Sequence, residues 1–407
     1  MLISPNPNHQ ENIPMGSGDG KTRDLVSTIP GAGWDFAQSR HPFHDIERPF
    51  GPHYCVYNRR QMACCFDKIS TEAGYWLLRQ KAAVLHTGEF PTQFKGPDAE
   101  RLLDKLFTKD ITKIRPGRCG YGLACYDDGG MIVDGILLRL ESDLFWYAQA
   151  DGDFYSWARA HATGMDVEIS DPKVFVSQVQ GPNSLKILEA ASDDGMPDPF
   201  GYFACTRVNL GGQSVVISRT GYTNELGWEF YTERQHDANA LWQHLMNAGQ
   251  AFGIGLHGLD SMHIRRIEAG ILNAGSDFDE TTTPYAAGLG RFVDEQKADF
   301  IGKQALAEAD RGVRLTGLKC EAEPFISGEI CISGQTAGRV TAGALSPYLK
   351  TGIGIALMDQ SGFSEGDRVE IRCIDGKLHA GELAELPLYD KAAEIPRGKK
   401  VDIPERT

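Results

Sequence analysis

The chain has 407 residues, with 41 Lys+Arg against 55 Asp+Glu and a formal charge of −14 at pH 7. That length suits two or three domains, and 41% apolar against 24% charged residues exclude a disordered or fibrous chain. The basic clusters are only two or three residues long, as at Arg59-Arg60 and Lys399-Lys400, so so acidic a chain repels nucleic acid and anionic membrane.

Residues 1–50 are rich in Pro, Gly, Asn, Asp and His without periodicity, and are expected to form an irregular N-terminal arm. They carry neither the basic nor the apolar segment of a signal peptide, and no apolar run approaches the roughly 18 residues of a membrane span. The nine cysteines are spread thinly and form no CxxC, which points to reduced thiols and a cytoplasmic protein.

A helix is expected over 70–81. Two similar units follow, PTQFK-GPDA-ERLLDKLF from Pro91 and VFVSQVQ-GPNS-LKILEA from Val174. Each reads as a strand, a Gly-Pro break, an Asp98 or Asn183 helix cap and an amphipathic helix. One matched pair leaves duplication and two ordinary strand–helix units equally open. Between them, residues 121–140 read as a hairpin turning at Asp127-Asp128-Gly129-Gly130. Residues 143–150 give a strand, 213–233 two strands around a Gly- and Asn-bearing loop, and 237–270 a helical stretch. Beyond about 310, short strands with Ser333-Gly334 and Asp375-Gly376 turns predict a small antiparallel barrel. The expected division is 1–50 arm, 51–309 α/β region with two related subdomains, and 310–400 barrel.

A literal GxGxxG falls at Gly253, Gly255 and Gly258, but behind a helix-like segment, which is the wrong context for a dinucleotide site. P-loop, HExxH and Asp-x-His-x-x-Gly patterns are absent, so no metal is expected. Three polar residues stand among apolar neighbours. Asp134 in MIVDGILL is either a strand-end turn residue or a buried carboxylate with a task. Glu225 in TGYTNELGWEF, beside Tyr222 and Trp228, is either in a solvated loop or the wall of a slot for a flat, nitrogen-rich ring. Arg266 in IRRIEAG either grips an anionic tail or pairs with a nearby acid.

With KGPDAERLL, DDGGMIVDGILL, VQGPNSLKIL, SRTGYTNELGWEF, RRIEAGILNAGSDFDETTTPYAAGLGRFV, DFIGKQAL and GRVTAGALSPYLKTGIGIALM, the chain resembles the glycine-cleavage T-protein (aminomethyltransferase) family and its tetrahydrofolate-dependent demethylase relatives. These stretches span roughly residues 80–390. The resemblance implies an α+β fold: a three-domain ring with a central folate-binding hole and a C-terminal antiparallel β-barrel. It places Asp134 near the reacting edge of tetrahydrofolate and Glu225 on the pterin, with Tyr222 and Trp228 lining the slot.

The departures from the family pattern lie where the one-carbon donor enters. His86 in AVLHTGE stands where the family carries Asp. Ser261-Met262-His263 replace an Ala-Arg-Asp stretch, while Arg266 keeps the second Arg. The reading that follows is a tetrahydrofolate-dependent methyltransferase taking its methyl from a small donor: a methoxy-aromatic, a sulfonium or methylamine, or a halomethane. Asp134 would handle the N5 proton. His86 would protonate the leaving group or position the donor, a core histidine being the equal alternative. The competing readings are an aminomethyltransferase acting with a lipoylated carrier protein and a non-catalytic folate-binding protein.

Overall fold

The computed structural model describes residues 41–58, 60–150 and 152–399. Of the expected arm, residues 1–40 lie outside the described residues. Residues 41–50 are ordered into α1 (His44–Glu47) and a 3₁₀ turn, with His41, Phe43 and Glu47 buried. The hairpin β1 (Pro52–Tyr57)–β2 (Arg60–Phe66) follows, then α2 (Thr71–Gln80) and β3 (Ala82–His86). Ser70 starts α2, its hydroxyl accepting the Ala73 N–H at 3.2 Å.

Next come β4 (Thr92–Lys95), α3 (Ala99–Leu106), the meander β5 (Arg118–Cys125), β6 (Met131–Arg139) and β7 (Leu144–Gln149), then α4 (Phe154–His161) and β8 (Glu168–Ser170). The plan repeats as β9 (Phe175–Gln180), α5 (Ser184–Ala191), the meander β10 (Cys205–Leu210), β11 (Gln213–Ser218) and β12 (Gly227–Thr232), then α6 (Ala238–Gly249) and β13 (Ile254–Leu256). The sheet orders are β5-β6-β7-β4-β8 and β10-β11-β12-β9-β3-β13. In the second sheet β3 enters beside β9, and β13 runs parallel to it.

The Gly-Pro breaks have one physical cause. Gly96 and Gly181 sit at φ +134° and +126°, and a Cβ there would lie 2.6 Å from the Asp166 carbonyl oxygen and 2.7 Å from those of Leu78 and Lys81. The expected caps do not form. Asp98 and Asn183 adopt φ −94° with ψ near zero, not the extended backbone that aims a side chain at the helix N–H groups. Asp98 instead accepts the Asp166 N–H (2.8 Å), and the Asn183 amide donates to the Phe252 carbonyl (3.0 Å).

Strand alternation builds four layers. Leu102, Leu103 and Leu106 of α3 cover Phe94, Val133, Leu137 and Tyr147 on one outer face. Ile187, Leu241 and Trp242 of α5 and α6 cover Val84, Val179, Trp228 and Phe230 on the other. The inner faces meet through Leu138, Trp146, Val176, Val216 and Tyr231.

The stretch expected to be helical over 237–270 is two helices split by β13. The second, α7 (Leu259–Ala269), is buried along most of its length. Two of the GxGxxG glycines bracket this strand and Gly255 lies within it: Gly253 turns the chain at φ +77°, and a Cβ on Gly258 would sit 2.5 Å from the Cys64 carbonyl oxygen. The motif here serves close packing. After α8 (Lys303–Glu308), strands β14 (Leu315–Cys320), β15 (Glu329–Ile332), β16 (Gln335–Ser346), β17 (Thr351–Met358), β18 (Arg368–Arg372) and β19 (Leu378–Ala384) close an antiparallel barrel in the order β14-β17-β16-β15-β18-β19. Ile264 and Ile267 of α7 share a core with Ala342, Ala344, Ile353 and Ile355 of the barrel, so α7 joins the barrel to the rest. All nine cysteines are free.

Candidate active site

A cavity of about 1200 Å³ opens between the inner sheet faces and reaches α7, the loop before β12 and the C-terminal segment. Asp134 on β6 and Tyr121 on β5 line it, as do Tyr222, Glu225, Glu229, Glu89 and Arg266.

Asp134 is buried, at 7% exposure, on the face of β6 that also carries Ile136 and Leu138. The Tyr121 hydroxyl donates to its Oδ2 at 2.6 Å. Burial pushes its carboxyl up to about 6; the Tyr121 hydrogen bond opposes this and the charge of Asp277 adds to it. At neutral pH it is therefore mostly ionised, yet a stronger base than a surface aspartate.

Glu225 is held by two buried guanidiniums. Arg79 of α2 and Arg265 of α7 both donate to Oε1, the latter at 2.7 Å. Oε2 carries no hydrogen bond among the described residues, and the residue lines the cavity. The network continues behind it. Glu268 accepts from Tyr75 (2.7 Å), Ser346 (2.6 Å) and Tyr389 (2.8 Å), tying α2, α7 and the barrel together. The Tyr222 hydroxyl is fixed on the Leu272 carbonyl at 2.6 Å, with its ring on the cavity wall. Arg266 lines the cavity too, but its guanidinium is bound to Asp277, whose other oxygen accepts from Thr341 at 2.6 Å.

Two expected site residues lie elsewhere. Trp228 is on the outer face of β12, 1% exposed and packed on Phe200, because alternation turns it away from the cavity that Gly227 and Glu229 face. His86 shares the outer face of β3 with Ala82 and Val84. It pairs with Ser177 (2.8 Å) and stacks on Phe43, and burial lowers its pKa to about 3, so it stays neutral. Neither lines the cavity.

His86, His41 and Glu47 place donor atoms within 4.8 Å of one another, the spacing of a metal site. The ring geometry opposes that reading. The two imidazoles stack at 4.9 Å with planes 29° apart, so their in-plane lone pairs do not converge. His41 Nδ1 also accepts the Phe43 N–H (3.2 Å), which leaves its proton on Nε2 facing Glu47 (3.0 Å). The cluster clamps residues 41–47 onto the sheet.

Sequence reasoning missed Tyr121, Arg79, Arg265, Glu89 and Glu229. For Glu229 a signal existed: it is one residue from Trp228 on a strand, hence on the opposite face.

The site thus lies in a cavity with buried carboxylates, bounded by two face-to-face sheets and a closed barrel. Residues 44–297 match the GCVT N-terminal domain, and residues 314–390 match the glycine cleavage T-protein C-terminal barrel domain. The chain belongs to the glycine-cleavage T-protein family, whose members include tetrahydrofolate-linked aminomethyltransferases and demethylases. It is 34% identical over 359 residues to an aminomethyltransferase of Halothermothrix orenii, covering 85% of this chain and 98% of that one. It is 29% identical over 332 residues to the dimethylsulfoniopropionate demethylase DmdA of Ruegeria pomeroyi, covering 79% and 90%. It is 33% identical over 375 residues to a trimethylamine-oxide aldolase of the same organism, where 87% of this chain spans only 47% of the relative, about half its length. The aminomethyltransferase T structure from Bartonella henselae superposes with a TM-score of 0.79 at 21% identity, covering 88% and 99%, which shows the same fold. No helix among the described residues is long and apolar enough to cross a membrane.

Proposed function

We propose that this chain transfers a methyl group from a small methylated donor to N5 of tetrahydrofolate. The observation that carries this is the cavity itself, which holds Asp134 as a base of raised pKa and Glu225 with a free carboxylate oxygen.

The residues fit tetrahydrofolate. Glu225 Oε2 can accept N–H groups from the amidine-like edge of a pterin, and Arg79 and Arg265 hold the carboxylate fixed in orientation. The Tyr222 ring supplies an apolar wall. Lys109 and Arg291 line the cavity without an ion pair among the described residues, which suits an anionic tail. Arg266, spoken for by Asp277, is better placed to shape the wall than to grip that tail.

Tetrahydrofolate, when bound, supplies N5 as the group that takes the methyl carbon. Asp134 Oδ1, opposite the oxygen held by Tyr121, receives the proton displaced from N5. The leaving group departs with the electron pair of its bond to carbon. Holding donor and acceptor in line accounts for most of the gain, since two reactants confined together no longer pay for their encounter.

A screen of methoxybenzoates, sulfonium compounds, methylamines and halomethanes with purified protein and tetrahydrofolate, read by mass spectrometry of the folate pool, tests this. The expected product is 5-methyltetrahydrofolate, formed without a lipoylated carrier. Methylene-tetrahydrofolate formed only with an aminomethylated lipoyl carrier would instead favour the aminomethyltransferase reading. Bound folate without turnover of any donor would favour a non-catalytic folate-binding protein.

A further inference from the structure

Of the nine cysteines six are buried and three are half-buried, and those three all lie on the β1–β2 hairpin: Cys55, Cys64 and Cys65. Successive residues of a strand face opposite ways, yet Cys64 and Cys65 both line the cavity. A shift of register is the cause. Tyr54 pairs with Ala63 and His53 with Cys65, so Cys64 is the extra residue of a bulge. The bulge sets the Cys64 sulfur against Cys55 while keeping it on the cavity wall. The Cys64 thiol donates to the Cys55 sulfur, and the Cys55 N–H donates to the Cys64 sulfur. The Cys55 thiol in turn donates to the Met62 carbonyl at 3.5 Å.

Contact between two thiols is not enough for oxidation; a dissolved oxidant must also reach them. Cys320 and Cys373 of the barrel hold their sulfurs 3.5 Å apart, but they are only 3% and 1% exposed. Burial also pushes the Cys373 thiol up to about 12. The thiolate is the form that attacks, so the barrel pair is slow on both counts. On the hairpin the order is reversed. Both sulfurs belong to half-buried residues, and the hydrogen bond from Cys64 lowers the Cys55 thiol. Burial, then the charge of Asp260, raises Cys65. Cys55 is therefore the attacking sulfur of the hairpin, with Cys64 beside it as the thiol that completes the bond.

We propose that Cys55 and Cys64 form a reversible oxidation site for a small peroxide, closing as a disulfide on the wall of the cavity. The Cys55 thiolate attacks one peroxide oxygen, the O–O bond breaks, and the other oxygen leaves as water with the proton that Cys55 gave up. Cys55 is then a sulfenic acid. The Cys64 sulfur attacks it, the S–O bond breaks, and the hydroxyl leaves as a second water with the Cys64 proton. The two thiols lose two electrons and two protons, and the peroxide gains them. A dithiol reductant reverses the change. The site is independent of the methyl donor, and its disulfide takes the Cys64 thiol out of the cavity wall.

Timed treatment of the full chain with hydrogen peroxide, followed by alkylation of the remaining thiols and peptide mass spectrometry, tests this. Trypsin cuts after Arg59 and Arg60, between the two cysteines, so their disulfide appears as two joined peptides, and fragmentation separates Cys64 from Cys65. The Cys55–Cys64 link is expected to form at least tenfold faster than a Cys320–Cys373 link, and to be lost again in dithiothreitol. In Cys64→Ser the reaction should stop at a Cys55 sulfenic acid, captured by dimedone. In Cys55→Ser the oxidation of Cys64 should slow at least tenfold. Thermal denaturation checks that both variants are folded, and the wild-type measurement stands without them. Folded wild-type protein that forms no Cys55–Cys64 link, or forms the Cys320–Cys373 link first, would overturn the proposal. So would a folded Cys55→Ser variant whose Cys64 is oxidised as fast as in wild type.

Discussion

Replacing Asp134 by Asn should make the protein more stable and less active at once. The carboxyl is raised from 3.8 to about 6 by burial, so the folded state resists its ionisation. The unfolded chain ionises first as pH rises, and the folded state then holds more protons. Stability is thus greatest below about pH 4 and falls as pH climbs towards 6, where the penalty levels off. At about 1.4 kcal/mol per pH unit, the raised value corresponds to roughly 3 kcal/mol at neutral pH, an upper bound. The Asn amide recovers less than that, because it is itself a buried polar group costing about 1–2 kcal/mol. A net gain of about 1–2 kcal/mol is expected at pH 8, turning into a loss of about 1–2 kcal/mol near pH 4 where the ionisation penalty is gone, read as the shift in urea midpoint of variant against wild type. Turnover should fall by about 10²-fold or more, as for loss of a positioned base. A variant that is destabilised at pH 8 while keeping near wild-type turnover would refute the reasoning, and would make Asp134 a structural strand residue.

Three further outcomes follow from the same geometry. Tyr121→Phe removes the hydrogen bond that holds the Asp134 pKa down. At about 1.5–3 kcal/mol for a bond to a charged group, the acid limb of the rate–pH profile should move up by about one to two pH units; an unmoved limb would detach Asp134 from catalysis. Glu225→Gln should weaken tetrahydrofolate binding by about 1.5–3 kcal/mol in calorimetry. Glu225→Ala is the harsher change: it strands Arg79 and leaves Arg265 with Glu268 alone at 3.6 Å, and should cost about 3–5 kcal/mol of stability. Trp228→Ala should destabilise by about 3–5 kcal/mol, while Trp228→Phe leaves folate affinity within twofold, since the ring belongs to the α5–α6 core; a tenfold loss in the Phe variant would return it to the site.

Local patterns carried much of the fold. The Gly-Pro units, the Asp127–Gly130 hairpin and the run of short strands beyond 310 each write their geometry into neighbouring residues, and the structure shows all three. The break in 237–270 was hidden because β13 is three residues long and flanked by glycines, too short for a period to show. The site was partly legible. Asp134 and Glu225 stand out as acids among apolar neighbours, and both face the cavity. Trp228 and His86 were misread because aromatic or polar character does not give strand phase; only the partners across the sheet do, as Val179 and Ser177 show. Arg79 and Tyr121 reach the site across 146 and 13 residues of sequence, and no local pattern announces such pairings.

The central claim is that an intact methyl group moves onto folate. It is tested most directly by incubating the protein and tetrahydrofolate with a trideuteromethyl-labelled donor and weighing the folate product. Transfer of the whole methyl predicts 5-methyltetrahydrofolate carrying all three deuterium atoms, with its formation lost in Asp134→Asn. Methylene-tetrahydrofolate carrying two deuterium atoms would mean that the carbon is oxidised before it reaches folate, and would contradict the account.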